Sequence, residues 1–166
     1  MKYLLAIFLV GSTLLACSQN ASNRVVLGNE KLEEYLPYLE EKRVAVVGNH
    51  TSVIKADIDD KHTHLVDTLL SLEVDIVKAF APEHGFRGKR ANGAHIVDGI
   101  DPETRLKILS LHGKHKKPSQ ESLVDVDVIV FDIQDVGARF YTYLSTLLLV
   151  MESAAENGVK IIVLDR

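Results

Sequence analysis

VIVFDIQDVGARFYTYLSTL, residues 128–147, sets an apolar run directly against a crowd of polar side chains. Val128, Ile129, Val130 and Phe131 are β-branched or aromatic without interruption, the pattern of a parallel strand covered on both faces. Asp132, Gln134, Asp135, Arg139, Tyr141 and Tyr143 follow closely, beside a Gly137 that permits a sharp exit turn. Packing does not require so many polar groups in one place, so the strand is read as delivering chemistry to its tip.

The same arrangement recurs along the chain. Val44 to Val47 runs into Gly48-Asn49-His50-Thr51, Val74 to Phe80 into Pro82-Glu83-His84-Gly85, Lys107 to Leu111 into His112-Gly113, and Lys160 to Leu164 into Asp165-Arg166. Val126 to Phe131 completes the set of strands. Leu65, Leu69, Leu70 and Leu72 predict a helix over His62 to Leu72, and Leu144, Leu147, Leu148, Met151 and Ala155 another over Arg139 to Asn157, closed by the Asn157-Gly158 stop. Strands alternating with helices predict an α/β fold: a doubly wound, Rossmann-like parallel sheet flanked by helices in three layers. Ligands bind such sheets outside the carboxyl ends of the strands, where this chain gathers its polar residues. Ordinary turns and caps would account for the Gly, Asn and Asp, but not for Glu-His, Arg and paired Tyr.

Met1-Lys2, an apolar core from Leu4 to Val10, then Leu14-Leu15-Ala16-Cys17 read as an export signal with the cleavage pattern of bacterial lipoproteins. Residues 1–17 are assigned to that signal, with Cys17 the lipidated first residue of the mature chain. Residues 18–24 are a flexible polar tether, and 25–166 form one lobe long enough for a proper core. Cys17 is the only cysteine, so no thiol is left for a disulfide, a metal or a nucleophile. The apolar segment falls short of the roughly twenty residues of a spanning helix. The chain is therefore read as lipid-anchored and water-facing in the cell envelope, on the periplasmic side or at the outer membrane. A formal charge of −4 argues against nucleic acid or anionic headgroups as general partners. Lys114-His115-Lys116-Lys117 is read as a solvated loop, and the ending directly after a strand as the mark of a longer protein.

Ala81-Pro82-Glu83-His84-Gly85-Phe86-Arg87-Gly88 is the second polar cluster. Pro82 biases Ala81 to extended backbone, and Gly85 and Gly88 allow a compact loop that presents Glu83, His84 and Arg87 together. Glu83, at a strand tip beside Phe86, suits protonation of a leaving group; the plainer reading is a local ion pair with Arg87. Glu83, His84, Asp132, Asp135 and His50 are also conceivable metal ligands. Because HExxH and CxxC are lacking, and His62-Thr63-His64 suits a helix start, no metal and no cofactor are assigned. GxSxG, the Walker loop and GxGxxG are missing too, which removes support for serine hydrolase, nucleotide hydrolase and dinucleotide dehydrogenase. Carboxylate chemistry remains: Glu83 with Asp132 or Asp135 on a glycosidic bond. Separations of about 5 Å or about 6.5–9.5 Å distinguish retention from inversion, and sequence does not choose between them.

APEHGFRG, SLHG, VDVIVFDIQDVGARFYTYLSTL and IIVLDR, in that order, resemble the bacterial exo-β-N-acetylmuramidase family from about Leu27 to Arg166. The resemblance implies the front half of an enzyme that removes N-acetylmuramic acid (MurNAc) from the non-reducing end of peptidoglycan fragments such as MurNAc-GlcNAc, with a second lobe opening on a Pro-Asn-Pro segment. The family shows Asn-Gln-Thr where this chain has Asn49-His50-Thr51, and Ser-Leu-Tyr-Gly where it has Ser110-Leu111-His112-Gly113. By this resemblance Glu83 is the general acid or acid/base, with Asp132 or Asp135 as its carboxylate partner. His84, Arg87, Gln134, Arg139, Tyr141 and Tyr143 line the sugar pocket with those aspartates, joined by Asn49, Asp165 and Arg166. The lactyl carboxylate of a muramyl sugar gives Arg139 or Arg87 a bidentate task. Aromatic rings suit stacking on the pyranose, although Phe140 and one tyrosine fit a core equally well. Two other readings stay open: a non-catalytic envelope lipoprotein that binds muropeptides, and a metal-dependent hydrolase.

Overall fold

The parallel strands at the centre of the sheet are short apolar runs whose residues alternate between two helical layers. A computed structural model describes residues 25–55, 62–87 and 98–166; the signal with Cys17, the 18–24 tether and Gly88 lie outside the described residues. In chain order the elements are α1 (Leu32–Tyr35), β1 (Val44–Gly48), β2 (Val53–Lys55), β3 (His62–His64), α2 (Leu65–Ser71), β4 (Ile76–Ala81) and β5 (Gly99–Ile100), then β6 (Lys107–Ser110), α3 (Gln120–Leu123), β7 (Val128–Asp132), α4 (Tyr143–Asn157) and β8 (Lys160–Val163). The main sheet has the order β5-β6-β4-β1-β7-β8. All its pairings are parallel except that of β5 with β6.

β1 lies between β4 and β7 and is buried along its whole length. Val44 and Val46 join Ala79, Val128 and Val130 in a core closed by Leu65, Val66 and Leu69 of α2 and by Tyr35 and Leu39. Ala45 and Val47 join Phe80, Ile129 and Phe131 in a second core closed by Leu123 of α3 and by Tyr143, Val150 and Ala154 of α4. This is the expected three-layer α/β architecture, and the five expected strands form its parallel part. From β1 the chain proceeds outward through β4 and β6, then returns to add β7 and β8 on the opposite side. The order of winding reverses between β1 and β7, and in such sheets ligands bind at the carboxyl ends of the strands beside that reversal.

Two helix boundaries differ from expectation. His62 to His64 is a strand, paired antiparallel with Val53–Lys55, and the helix starts only at Leu65. The reason is capping: His64 Nδ1 accepts from the Val66 amide, so His64 closes the helix instead of entering it. Arg139 to Thr142 is a turn rather than a first helical turn, with the Tyr141 amide bonded to the Ala138 carbonyl, and α4 begins at Tyr143. Its end falls where expected, at a left-handed Gly158 (φ 65°) whose amide caps the last turn. In the basic loop, Lys117 does not stand free but pairs with Glu152 and Glu156 on α4.

The two-sided core makes a definite prediction. Ile129 is fully buried, and Ile129→Ala removes methyl groups that the rigid sheet does not replace, costing about 2–5 kcal/mol. Urea unfolding at neutral pH measures this as a lower midpoint with unchanged slope.

Candidate active site

The tip of β1 is held from below by its neighbour. The Ser52 hydroxyl accepts from the Asn49 amide at 2.9 Å and donates to the main-chain carbonyl of Asp132 on β7. Thr51 donates to Asn49 Oδ1 twice, from its amide at 2.8 Å and its hydroxyl at 2.7 Å, and its hydroxyl also accepts from the Gln134 amide at 3.0 Å. These bonds fix the plane of the buried Asn49 carboxamide. The next turn of the β7 tip is closed by Asp135, whose Oδ1 accepts from the Gly137 amide at 2.7 Å. Gly137 takes φ 69°, the left-handed turn that its lack of a side chain permits.

At the β4 tip His84 has φ 73° and Gly85 φ 82°. Left-handed backbone at a histidine is strained by on the order of 1 kcal/mol and is tolerated where surrounding contacts enforce it. Here the enforcing contacts lie on the far side of the loop. Arg87 bonds both carboxylate oxygens of Asp67 at 2.8 Å, and both of Asp101 at 3.0 and 2.7 Å. Phe86 packs on the His64 ring at 4.7 Å, with the Arg87 guanidinium 5.6 Å from the Phe86 centroid. The loop is thereby pinned by Arg87 while Glu83 turns the other way, where its Oε2 accepts a 3.1 Å bond from the Thr142 hydroxyl.

Burial and ion pairing shift several ionisable groups around the strand tips. The Asp67 and Asp101 carboxylates raise the pKa of Arg87. Burial pushes Asp101 upward, but bonds from Arg87 and Thr104 outweigh it and hold the carboxyl below its usual range. Burial, then the Arg87 charge, lowers His64; its Nδ1 accepts and its Nε2 faces the Asn49 carbonyl at 3.0 Å, so the ring is neutral with the proton on Nε2. Asp132 is fully buried, and desolvation raises it to about 6 despite Arg166 and Asn29. Such a raised carboxyl binds its proton more tightly folded than unfolded, so its contribution to stability declines as pH rises from about 4 through 6. Burial also raises Tyr143, with Asn49 opposing and Glu83, Tyr141 and Asp135 reinforcing the shift.

The structure brings together Asn49, Glu83, Asp135, Tyr141 and Tyr143 of the expected set. Tyr143 is buried and belongs to the core, Tyr141 is half exposed, and their rings lie 6.3 Å apart at 56°. Phe140 is 95% exposed, which removes it from the core. Arg139 and the side chains of His50 and Gln134 are at the surface. Two expected substrate contacts are directed elsewhere, Arg87 into its aspartates and Arg166 into Asp132 and the Thr51 and Val53 carbonyls, while Asp165 is exposed and its main-chain carbonyl accepts from the Gly28 amide. Asp132 likewise faces Asn29 and Arg166 and does not face solvent. Thr142, Ser52 and Asn29 are not among the residues expected from sequence, where Thr142 has only the signal of a cap-type residue before a helix, and His64 is read there only as part of a helix start. Among the described residues no group of three His, Cys, Asp or Glu side chains is placed to hold a metal ion. A groove of about 1280 Å³ lies apart from these tips, along the outer edge of β8, and Asp165 is its one expected site residue.

Residues 44–166 match the family described as exo-β-N-acetylmuramidase NamZ, N-terminal. Over 138 residues the chain is 39% identical to the peptidoglycan β-N-acetylmuramidase NamZ of Bacillus subtilis (strain 168), covering 81% of this chain and 32% of that protein. Crystal structures of two DUF1343 family proteins from Bacteroides fragilis NCTC 9343 share the fold with TM-scores of 0.72 and 0.70, at 42% and 40% identity, over 84% and 86% of this chain and 34% and 35% of theirs. The chain therefore spans about a third of the length of these relatives, less than the front half that the resemblance implied.

The pinning of the Glu83 loop is testable through Arg87. Arg87→Ala leaves the fully buried Asp101 without its cation and is expected to cost about 3–5 kcal/mol at neutral pH. Because Asp101 is depressed in the folded state, the stability it brings is present at neutral pH and lost as pH falls through its folded value. Thermal unfolding of wild type and variant is accordingly expected to differ strongly at pH 7 and much less at about pH 3.

Proposed function

The chain belongs to the exo-β-N-acetylmuramidase NamZ family, and we propose from that premise that its strand-tip crevice binds the terminal MurNAc of peptidoglycan fragments and carries the acid for its release. The observation that supports this most directly is a pair of unpartnered polar atoms in the crevice. Nδ2 of Asn49 and Oδ2 of Asp135 are shielded from solvent and have no hydrogen-bond partner among the described residues. Buried polar groups are normally satisfied. One is a donor and the other an acceptor, and the neighbouring Tyr143 hydroxyl feels the charges of both Glu83 and Asp135. Sugar hydroxyls, which donate and accept at once, are suited to such a lining.

In this reading Glu83, held by Thr142, gives its proton to the glycosidic oxygen as the bond to the anomeric carbon breaks. A water oxygen then bonds to that carbon, and its proton returns to a carboxylate of the site. Asp135 is the second carboxylate at the crevice, whereas Asp132 is withdrawn from it. With Arg87 committed to Asp67 and Asp101, the exposed Arg139 is the arginine for the lactyl carboxylate. Tyr141, half exposed, offers its ring to the pyranose. Export and anchoring through Cys17 would place the lobe in the envelope beside this substrate.

Expressed as the complete reading frame without residues 1–17, the protein is expected to release MurNAc from MurNAc-GlcNAc. Glu83→Gln is expected to lower kcat by about two orders of magnitude or more with the disaccharide still bound. Binding without release by the parent protein would favour the non-catalytic muropeptide-binding lipoprotein instead.

A further inference from the structure

We infer that Asn29, Asp132 and Arg166 form a positioning clasp that sets the loop after β1, and so the Asn49 carboxamide, rather than touching substrate themselves. Asn29 is fully buried and lies before the stretch that matches the family, 103 positions from Asp132. Its Nδ2 donates to Asp132 Oδ2 at 3.1 Å and to the Val53 carbonyl at 3.0 Å, and its main-chain carbonyl accepts from the Tyr35 hydroxyl at 3.1 Å. From the other side Arg166 donates to Asp132 Oδ1 at 3.3 Å, to the Val53 carbonyl at 3.4 Å and to the Thr51 carbonyl. Two side chains from segments far apart in sequence thus meet on the carboxylate of a third and grip the main chain at Thr51 and Val53.

The grip has a direct outlet. Thr51 spends both its amide and its hydroxyl on Asn49 Oδ1, which leaves Nδ2 as the free end of that carboxamide. The Thr51 hydroxyl also takes the Gln134 amide, so the β1 and β7 tips are set by the same residue. Gly28 brings Asn29 into range: its amide bonds the Asp165 carbonyl at 2.6 Å, and a Cβ there would stand 2.6 Å from the Asp165 nitrogen. The charged and titratable groups facing the clasp carboxylate are Arg166, from beyond β8, and Tyr35, from α1. Neither Asp132 nor Arg166 is open to solvent, at 0% and 6% side-chain exposure, so a substrate meets the clasp only through the loop it holds.

The clasp itself is judged by amide hydrogen exchange, which does not depend on the muramidase reading; only the activity arm rests on that reading. In the complete gene product, Asn29→Ala is expected to speed exchange at the Thr51 and Gln134 amides by about tenfold, the loss of roughly one hydrogen bond, while Val130 in the sheet stays unchanged. Asn29→Asp, which sets two carboxylates face to face, is expected to do the same. Combining it with Asp132→Asn, which restores one carboxamide–carboxylate bond, is expected to return Thr51 most of the way to wild type, an exchange that bulk packing would not reward. In parallel kcat/KM for MurNAc release from MurNAc-GlcNAc is expected to fall about tenfold in Asn29→Ala and to recover with the exchanged pair. If Asn29→Ala does not fold, Asp132→Asn carries the test with the same expectation. Unaltered exchange at Thr51 and Gln134 overturns the clasp whatever the activity does. A parent protein that releases no MurNAc defeats the glycosidase reading, and the exchange results still decide the clasp.

Discussion

The parallel pairing of β1 with β4 on one side and β7 on the other is the constraint from which the rest of the structure follows. Residues 44–48 have neighbours on both edges and helices over both faces, so their backbone bonds and side chains are satisfied wholly inside the protein. Parallel strands in register end together, and their polar continuations are delivered to one rim. The reversal of winding between β1 and β7 then falls at that rim, the usual place for a ligand in sheets of this kind. Asn49 follows the last rung of this ladder at the rim, while Asp132, paired at that rung with Gly48, is buried beneath it.

Around the rim, rigid ion pairs and reactive groups are kept apart. Arg87 is locked by two aspartates below the loop, and Arg166 by Asp132 beneath the β1 tip, which holds the charged supports out of the crevice. The groups left at the strand tips are Glu83, Asp135, the Asn49 carboxamide and the tyrosine pair, with Asn49 Nδ2 and Asp135 Oδ2 shielded from solvent and uncommitted. On the proposed function, such a separation would keep the site in shape before substrate arrives and conserve binding energy for the reaction.

The sheet was legible because its strands are uninterrupted β-branched runs ending in polar residues, a pattern local to each segment. The β2–β3 pair and β5 were not, since two or three residues with no apolar alternation leave no period to read. Glu83 and Asp135 were legible as strand-tip residues. The division between Arg87 and Arg139 was not: the partners that commit Arg87 lie 20 and 14 positions away and carry no mark in the sequence. The same is true of Asn29, an ordinary asparagine before a short helix until the fold carries it to Asp132. His64 escaped for a related reason, because a helix-start histidine looks alike whether it caps, packs or ligates.

The central claim is that the carboxyl ends of β1, β4 and β7 form the sugar site. The most direct test is an amide chemical-shift titration of the complete protein, Glu83→Gln to prevent turnover, with MurNAc-GlcNAc. The account predicts saturable shifts at Asn49, Gln134, Asp135 and Tyr143. Shifts confined to the outer edge of β8, around Val124 and Val163, with the strand tips unmoved, would contradict it.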